Sequence, residues 1–573
     1  MKKRTLAVVF CFIMAFSLVL TACSGGDPGT TEPPGTAGGA DSSGGSGSTG
    51  GGGSDSPGGS GRPGPDYLQL DITGPELYED SVFGYAWESS AEVYKVHVYS
   101  RLLWLDGAGN VTGGDLASDY SVSADALTYT ATLRDGLKWH DGVPLTVNDV
   151  VWGVKATLRD AVAGPLFKNA FGCIVGASAF SDKSTDDLPG LTVSGNTITF
   201  KLEKPSSVFL YVLGQWPLLP EHLFTDADPN DLHGHYPFWS QPVGCGPYMF
   251  TEVVKDEYAI MSIYPDYHGP KPGIERIYMA LTGVAAETLV PNDNIDFFAT
   301  QDPSVISYME NYQNYTRYDV PVNYVRYLMC NTVGKGGGSA GTAVSDFRVR
   351  KALLHALDLE SMLENFYGDM ARQTNSKMSN MESPYHNPNN QTLKYDPDLA
   401  KRLLDEAGYD YNYDFVIGYY YNDQLSTDFV DTMVYYWEAV GIKAKAVLFT
   451  GDLANMFYFT RDYDVLYAGL GFVLPEDTFG QFLDSSIMTQ TLGSNPKWQE
   501  LYDNLSSADS QEARFRACFA LQDFEQTMLV QLPLFNLDIV YYVNEARVSV
   551  PTQYFSELRV AYNRHMEEWV LFD

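Results

Sequence analysis

The sequence predicts a mixed α/β fold, because strand-like and helix-like segments follow one another along the chain beyond residue 65. In residues 127–133, apolar side chains alternate with threonines, the period-two pattern of a strand with one buried face. In residues 396–408, a helix-start signal precedes an apolar stripe that ends at a glycine. Segments of both kinds are interspersed throughout, and no internal repeat is present.

The first 22 residues have the order of an export signal. Residues 2–4 are basic, and residues 6–20 form an apolar run that is short for a transmembrane helix of ~20 residues. The four residues that end at Cys23, Leu-Thr-Ala-Cys, resemble the lipobox of bacterial lipoproteins, whose cysteine is lipidated after cleavage. We therefore expect residues 1–22 to be removed and Cys23 to anchor the chain on the extracytoplasmic face of the cell membrane. An ordinary cleaved signal with a chance cysteine is the alternative.

Residues 23–65 are predicted to be a disordered tether that follows the lipidated cysteine. The segment is almost entirely Gly, Ser, Thr, Pro and Asp, so it cannot bury enough apolar surface to offset chain entropy. A flexible coil of this length has an end-to-end distance of about 35 Å. The globular part is therefore expected to stay near the membrane while remaining free to reorient.

Length and charge limit the classes of function. The chain has 573 residues, enough beyond the tether for two or three domains of ~100–200 residues each. Its formal net charge is −35, and loss of the basic signal makes the mature chain more negative still. This surface argues against nucleic acid and anionic lipid as partners.

Four cysteines remain once the signal is cleaved and Cys23 is lipidated: Cys173, Cys245, Cys330 and Cys518. They are too widely spaced for a metal cluster or a disulfide scaffold. Their spacing cannot distinguish buried free thiols from a single disulfide, of which Cys173 to Cys245 is the first pair to test.

Further elements follow in chain order. Thr146 stands three residues before Asp149 and opens an apolar segment, a capping box that predicts a helix start. Asp346 precedes a second helix, and Asp396 caps a third that ends at Gly408. Tyrosine- and valine-rich strands are predicted at Tyr324–Met329, Phe415–Tyr420, Lys443–Leu448 and Leu534–Val543.

Six blocks in order resemble the peptide/nickel-binding, or oligopeptide-binding, family of ABC-transporter solute-binding proteins. They are YSRLLWLD at 99–106, LTYTATLRDGLKWHDGVPLTVNDVVW at 127–152, PVGCGPY at 242–248, PDYHGPKPGIERI at 265–277, SDFRVRKALLHALD at 345–358 and YDPDLAKRLLDEAGY at 395–409.

The resemblance implies a bilobal fold of the large periplasmic-binding-protein type, with a ligand cleft between lobes and an inserted sub-domain. Carried onto this chain, it implies lobe one at 66–98, 213–329 and 541–573, the sub-domain at 99–212, and lobe two at 330–540. It also implies that the lobes close on an extracellular solute, most of all an oligopeptide, and that a membrane ABC permease receives the monomeric protein.

Peptide-binding members of the family anchor the peptide's amino terminus with an aspartate in lobe two. At the corresponding position this chain has Val473. A free α-ammonium would therefore lose a charge-assisted bond of about 1.5–3 kcal/mol. Glu476 or Asp477 could substitute from a shifted loop, although a solvated loop position is the favoured interpretation.

The remaining wall positions are inferred from the family alone. Candidates in lobe one lie within residues 86–90, and those in lobe two within the strand that precedes Val473. The ligand-binding candidates are Trp87, Glu88, Ser89, Tyr467, Gly469, Leu470, Phe472 and Val473. Trp87 could equally be a core aromatic. With 39 tyrosines in the chain, a tyrosine-lined cleft would suit peptide side chains, stacked sugars or another planar group.

Several motifs are typical of other classes of protein, but none of them supports such an assignment here. The glycines at 336, 338 and 341 match a dinucleotide fingerprint, but they lie in a low-complexity loop. His222, His233 and His235 are interpreted as surface residues rather than metal ligands, and we expect no metal and no cofactor. The alternatives left open are an oligosaccharide or metal chelate as ligand and an extracytoplasmic hydrolase using paired carboxylates.

Overall fold

The computed structural model describes residues 67–71, 97–106, 109–159, 165–228, 232, 235–255, 257–280, 286–292, 295–322, 324–378, 383–451, 453–471, 474–484, 486–508, 510–552 and 565–572. The predicted signal peptide, the lipidated Cys23 and the tether lie outside these residues. So do Trp87, Glu88, Ser89, Phe472 and Val473 of the predicted site. No helix among the described residues is long and apolar enough to cross a membrane.

The strands are β1 Tyr67–Asp71, β2 Leu103–Leu105, β3 Val111–Gly114, β4 Ala117–Val122, β5 Thr128–Leu133, β6 Leu191–Ser194, β7 Thr197–Lys201, β8 Tyr248–Val254, β9 Tyr258–Ile263, β10 Arg276–Ala280, β11 Phe297–Thr300, β12 Tyr315–Val320, β13 Tyr324–Cys330, β14 Ala371–Gln373, β15 Phe415–Tyr419, β16 Ala444–Leu448, β17 Val465–Gly471, β18 Gln531–Leu537, β19 Ile539–Asn544, β20 Val548–Ser549 and β21 Val570–Leu571.

The helices are Val147–Arg159, Pro165–Phe171, Ala177–Ser181, Phe209–Gln215, Tyr236–Trp239, Pro303–Met309, Phe347–His355, Leu359–Phe366, Pro397–Ala407, Gln424–Ala439, Leu453–Asn455, Pro475–Gly480, Thr489–Leu492, Pro496–Ser506 and Gln511–Met528.

The strands form two large sheets, and each is the centre of one lobe. A seven-stranded sheet in the order β12-β19-β11-β1-β10-β9-β8 is the centre of lobe one. A six-stranded sheet in the order β14-β18-β13-β17-β15-β16 is the centre of lobe two. Every side chain of β13 and β18 is buried, because these central strands are covered on both faces.

A four-stranded antiparallel sheet, β4-β5-β7-β6, lies beside lobe one. The burial of β5 alternates between half-buried and buried side chains, as its period-two sequence predicts. The helix that follows begins where predicted: Asp149 accepts hydrogen bonds from the backbone N–H and the hydroxyl of Thr146, at 2.7 and 3.2 Å. Local sequence therefore determined this strand, turn and helix.

The two other predicted helices are also confirmed. Asp346 and Asp396 each accept a hydrogen bond from a backbone N–H in the first turn of the helix that they precede. The second of these helices ends at Gly408, whose φ of 68° lies in the left-handed region that glycine adopts without strain.

One predicted strand is wrong. The segment Leu534–Val543 was expected to be a single strand, but it is divided at Asp538 between β18 in lobe two and β19 in lobe one. The backbone N–H of Asp538 donates to the carbonyl oxygen of Met370, so the chain leaves one ladder there and enters the other. Asn536 and Asp538 interrupt the apolar segment, but polar residues within a buried segment do not by themselves indicate a change of sheet.

The chain also crosses between lobes from β12 to β13, beside the crossing from β18 to β19. Val320 pairs with Ile539 on one side of the crossing, and Val325 pairs with Asn536 on the other. Two antiparallel strands therefore join the lobes. The expected boundaries at 329/330 and 540/541 fall inside β13 and β19, so we propose that lobe two covers residues 324–538.

Candidate ligand-binding site

The carboxyl ends of two parallel strands define one edge of the lobe-two sheet. β15 and β17 pair in parallel, and β13 runs antiparallel to β17 and begins at the same edge. Ligands of open α/β sheets bind beyond the carboxyl ends of the strands. Because β13 enters lobe two directly from the inter-lobe crossing, this edge adjoins the junction between the lobes.

The structure separates the predicted residues of β17 onto two faces. Tyr467 is fully buried, and its ring centroid lies 5.7 Å from that of Tyr421 and 5.8 Å from that of Phe429. Gly469 shares this face. Leu470 belongs to the apolar cluster on the opposite face of the sheet, so its side chain does not join Tyr467.

Sequence reasoning missed Arg326, the cation at this edge. It lies on β13 directly opposite Gly469, and it is only 2% exposed. Its guanidinium carbon is 3.7 Å from the centroid of the Tyr421 ring and 5.4 Å from that of Tyr324. The signal was an arginine inside an otherwise apolar and aromatic predicted strand.

Glu476 is not a solvated loop acid, and that interpretation was wrong. It lies in the first turn of helix Pro475–Gly480 and is 3% exposed. Its two carboxylate oxygens accept hydrogen bonds from Arg514 at 3.0 and 2.6 Å. Ser207 Oγ, from the segment after the four-stranded sheet, donates to the same carboxylate at 2.8 Å. Arg514 and Ser207 thus already occupy this carboxylate in the structure.

These contacts join the segment after the four-stranded sheet to lobe two. The backbone N–H of Ser207 also donates to the carbonyl oxygen of Ser506, at 3.0 Å. Lobe two is therefore linked to the rest of the molecule here as well as at the two crossing strands.

Asp477, the neighbouring acid, is partly buried beside Glu476. Burial, followed by repulsion from the Glu476 carboxylate, raises the pKa of Asp477 to about 7. Arg514 acts in the opposite direction and does not outweigh them. The carboxyl group of Asp477 is thus held largely protonated in mildly acidic solution.

We expect Asp477 to make folding stability depend on pH. Its pKa is higher in the folded chain than the value of about 3.9 for an unfolded aspartate, so the native state binds more protons between these values. Stability from this group is therefore present below about pH 4 and is lost as the pH rises to about 7. Unfolding of Asp477→Asn and wild type should differ most at pH 8, where the variant should melt higher.

Asp503 provides the matched control, because it is an exposed acid and therefore has a carboxylate that is already solvated. The melting temperature of Asp503→Asn should change between pH 5 and pH 8 by the same amount as that of the wild type. If the difference in melting temperature between wild type and Asp477→Asn does not change with pH, the raised pKa of Asp477 is contradicted.

The described cysteines are unpaired, and two of the three candidate histidines have partners of their own. All four described cysteines are free thiols, so the tested pair Cys173 and Cys245 is not joined. His222 Nε2 lies 2.7 Å from Asp141 Oδ2, and His235 Nε2 lies 3.1 Å from the carbonyl oxygen of Leu223. These two histidines therefore have separate partners. His233 lies outside the described residues.

The glycine-rich loop does not form a phosphate cradle. Arg461 donates to the carbonyl oxygens of Gly334 and Gly338, and Asp462 accepts from the backbone N–H of Gly336. A carboxylate of the chain itself thus takes the amide that would face a phosphate. The dinucleotide interpretation stays rejected.

A bilobal α/β fold, with two strands crossing between lobes and a sheet edge beside the crossing, defines a class of binding protein that can close around a ligand. The profile of bacterial extracellular solute-binding proteins, family 5, matches residues 112–486. The chain belongs to this family.

Curated relatives agree with this assignment. The chain is 27% identical over 370 residues to an ABC transporter peptide-binding protein of Brucella ovis, a match that covers 62% of this chain and 65% of that protein. It is 25% identical over 407 residues to the dipeptide-binding protein of Escherichia coli, covering 65% of this chain and 70% of that protein. The match to the Brucella relative thus spans just under two thirds of its length.

Solved structures share the fold. The ABC transporter substrate-binding protein CtaP of Listeria monocytogenes matches with a TM-score of 0.73 and 21% identity, over 88% of this chain and 99% of that one. Lactococcal OppA, complexed with an endogenous peptide in the closed conformation, matches with a TM-score of 0.73 and 17% identity, over 85% and 98%. NikZ of Campylobacter jejuni, in complex with Ni(L-His), matches with a TM-score of 0.69 and 20% identity, over 88% and 100%.

Proposed function

We propose that this chain is the substrate-binding protein of an ABC importer and that it captures an oligopeptide between its lobes. Cys23 holds it at the outer face of the membrane, the tether lets it reorient, and a permease receives the ligand from the monomer. No chemical step is assigned to it. The observation that carries the proposal is the bilobal fold with two crossing strands, together with the family to which the chain belongs.

The crossing strands allow a simple mechanism of capture. Each crossing is short, from Val320 to Tyr324 and from Leu537 to Ile539, so small changes in backbone angles there rotate one lobe against the other. A ligand that contacts both lobes binds only the closed arrangement fully and therefore shifts the population toward it. The permease can then distinguish loaded from empty protein by shape.

Retention of peptides tests this function. Purified protein is incubated with a mixture of di- to octapeptides, washed, and denatured, and the released molecules are identified by mass spectrometry. We expect intact peptides, and each should raise the melting temperature as RT ln(1 + [L]/Kd) requires. Cleaved peptides would instead support the hydrolase alternative, and retention of no peptide would overturn the peptide assignment.

A non-peptide ligand is the second candidate. The family resemblance aligns Val473 with the amino-terminal anchor, and one structural neighbour was solved with a nickel–histidine chelate. Oligosaccharides and nickel–histidine should therefore be tested in the same thermal assay. A shift with either one and none with peptides would favour this candidate.

We expect acetylation of the peptide amino terminus to have little effect. In relatives with an aspartate anchor, acetylation removes a charged hydrogen bond, which costs roughly tenfold or more in affinity. With Val473 in that place, acetylated and free forms of one retained peptide should bind within about threefold of each other, measured by calorimetry. A loss of tenfold or more would show that another acid anchors the ammonium group.

A further inference from the structure

Arg326 differs from the other deeply buried arginines of the described chain. Arg101, Arg350 and Arg461 are at most 7% exposed, and each donates hydrogen bonds to backbone carbonyl oxygens. Arg326 is more deeply buried than any of them, yet its Nε and Nη1 have no hydrogen-bond partner among the residues that the structure describes. A buried guanidinium with unused donors is costly unless another group completes it.

Aromatic rings surround Arg326, but they contact only the two flat faces of its guanidinium group. Besides Tyr421 and Tyr324, the Tyr467 ring centroid lies 5.6 Å from the guanidinium carbon. Rings attract a cation through their π faces and leave the N–H groups in the guanidinium plane free to donate. No ion pair within the described ranges involves Arg326.

The glycine opposite Arg326 keeps this arrangement open. A Cβ atom at residue 469 would lie 2.2 Å from the hydroxyl oxygen of Tyr324 and 2.7 Å from that of Tyr421. Glycine at this register therefore makes room for the hydroxyl groups of Tyr324 and Tyr421, whose rings lie near the guanidinium. The two hydroxyl groups occupy the volume that the side chain of an ordinary strand residue would fill.

The location fits a ligand contact rather than a purely structural cation. Arg326 is two residues into β13, directly after the inter-lobe crossing, and it faces the carboxyl-terminal part of β17. This is the sheet edge at which α/β proteins bind ligands. In a chain of net charge −35, a buried cation there provides a local attraction for a negative group.

We infer that Arg326, enclosed by Tyr324, Tyr421 and Tyr467, is a subsite for a carboxylate of the ligand. The inference rests on the proposed function and sharpens it: the ligand is held through a negative group. A carboxylate matches the donor geometry of a guanidinium, and the surrounding rings exclude water and strengthen the bond. For a peptide, the group is the terminal carboxylate or an acidic side chain.

The test compares ligands on the wild-type protein, so it does not depend on a variant that folds. The probes are a retained peptide with neutral side chains, its C-terminal amide, and the same amide with one residue changed to glutamate. We expect amidation to weaken binding about 10- to 100-fold. Recovery by the glutamate amide would assign the site to side-chain carboxylates as well, whereas no recovery would assign it to the terminal carboxylate.

Substitutions of Arg326 then test whether this residue binds the carboxylate. Arg326→Met should bind the free and amidated peptides equally, and Arg326→Lys should keep part of the preference because a point charge remains. The exposed Arg402, changed to Met, is the matched control and should keep the full preference. Equal binding of the free peptide, its amide and the glutamate amide by the wild type would overturn the subsite while leaving peptide capture intact.

A second experiment tests the subsite if the protein captures no peptide. If no peptide is retained, citrate and glutarate are compared with their methyl esters in the thermal assay. Stabilisation by the acids alone, lost in Arg326→Met, would support the subsite although the peptide assignment fails. No difference between acids and esters would overturn it.

Discussion

Replacing Arg514 with methionine is expected to lower the free energy of unfolding by about 3–5 kcal/mol. Arg514 donates to both carboxylate oxygens of Glu476, whose side chain is 2% exposed. The substitution leaves that carboxylate in a dry environment with Ser207 as its remaining hydrogen-bond donor among the described residues. It also removes the donor to Tyr385 Oη, at 2.6 Å. Urea unfolding followed by circular dichroism measures the loss.

Arg516, on the same helix, is the matched control. It is exposed, so Arg516→Met should change stability by no more than about 0.5 kcal/mol. Adding Glu476→Leu to Arg514→Met should recover part of the loss, because no unpaired buried charge then remains. Equal effects of the Arg514 and Arg516 substitutions would refute the assigned ion pair.

Replacing Asp464 with alanine is expected to cost about 2–4 kcal/mol of stability. The carboxylate of Asp464 is fully buried just before β17, and it accepts hydrogen bonds from Tyr413 Oη at 2.7 Å and from the backbone N–H of Val416 at 2.8 Å. It also pairs with the ammonium group of Lys335. Alanine removes the acceptor of the Tyr413 hydroxyl and of the Val416 N–H at the start of the strand.

Asp462 offers a control two residues away. It is exposed and accepts a bond from the backbone N–H of Gly336 at 3.1 Å. Asp462→Ala should therefore cost only about 0.5–1 kcal/mol. Thermal unfolding of Asp464→Ala and Asp462→Ala checks the difference. Equal melting temperatures would show that the hydrogen bonds to Asp464 contribute less stability than expected.

Local signals account for the elements that the sequence predicted correctly. The helix after Asp396 has its cap, first-turn proline, apolar stripe and terminal glycine within 13 consecutive residues. Each of these acts on neighbouring backbone groups, so the pattern needs no knowledge of the fold. The same is true of the alternating strand β5.

Long-range partners account for the errors. The segment Leu534–Val543 is mostly apolar, with Asn536 and Asp538 as its polar residues, and its sequence alone does not show that it forms two strands in two sheets. The sequence favours a solvated loop position for Glu476, whereas the structure buries it. Its serine partner is 269 residues distant in sequence and its arginine partner is 38 distant. Nothing near Glu476 in sequence indicates either one.

The sequence by itself determined the α/β class, the capped helices and the family resemblance, because periodicity, caps and motif blocks are properties of adjacent residues. Only the tertiary structure decided that the chain changes sheets at Asp538, that Glu476 is a structural acid, and that Arg326 lies among tyrosines with two guanidinium nitrogens unpaired by any described residue. Burial and pairing depend on which distant segments come into contact. The free-energy cost of a buried charge therefore depends on neighbours that the local sequence does not name.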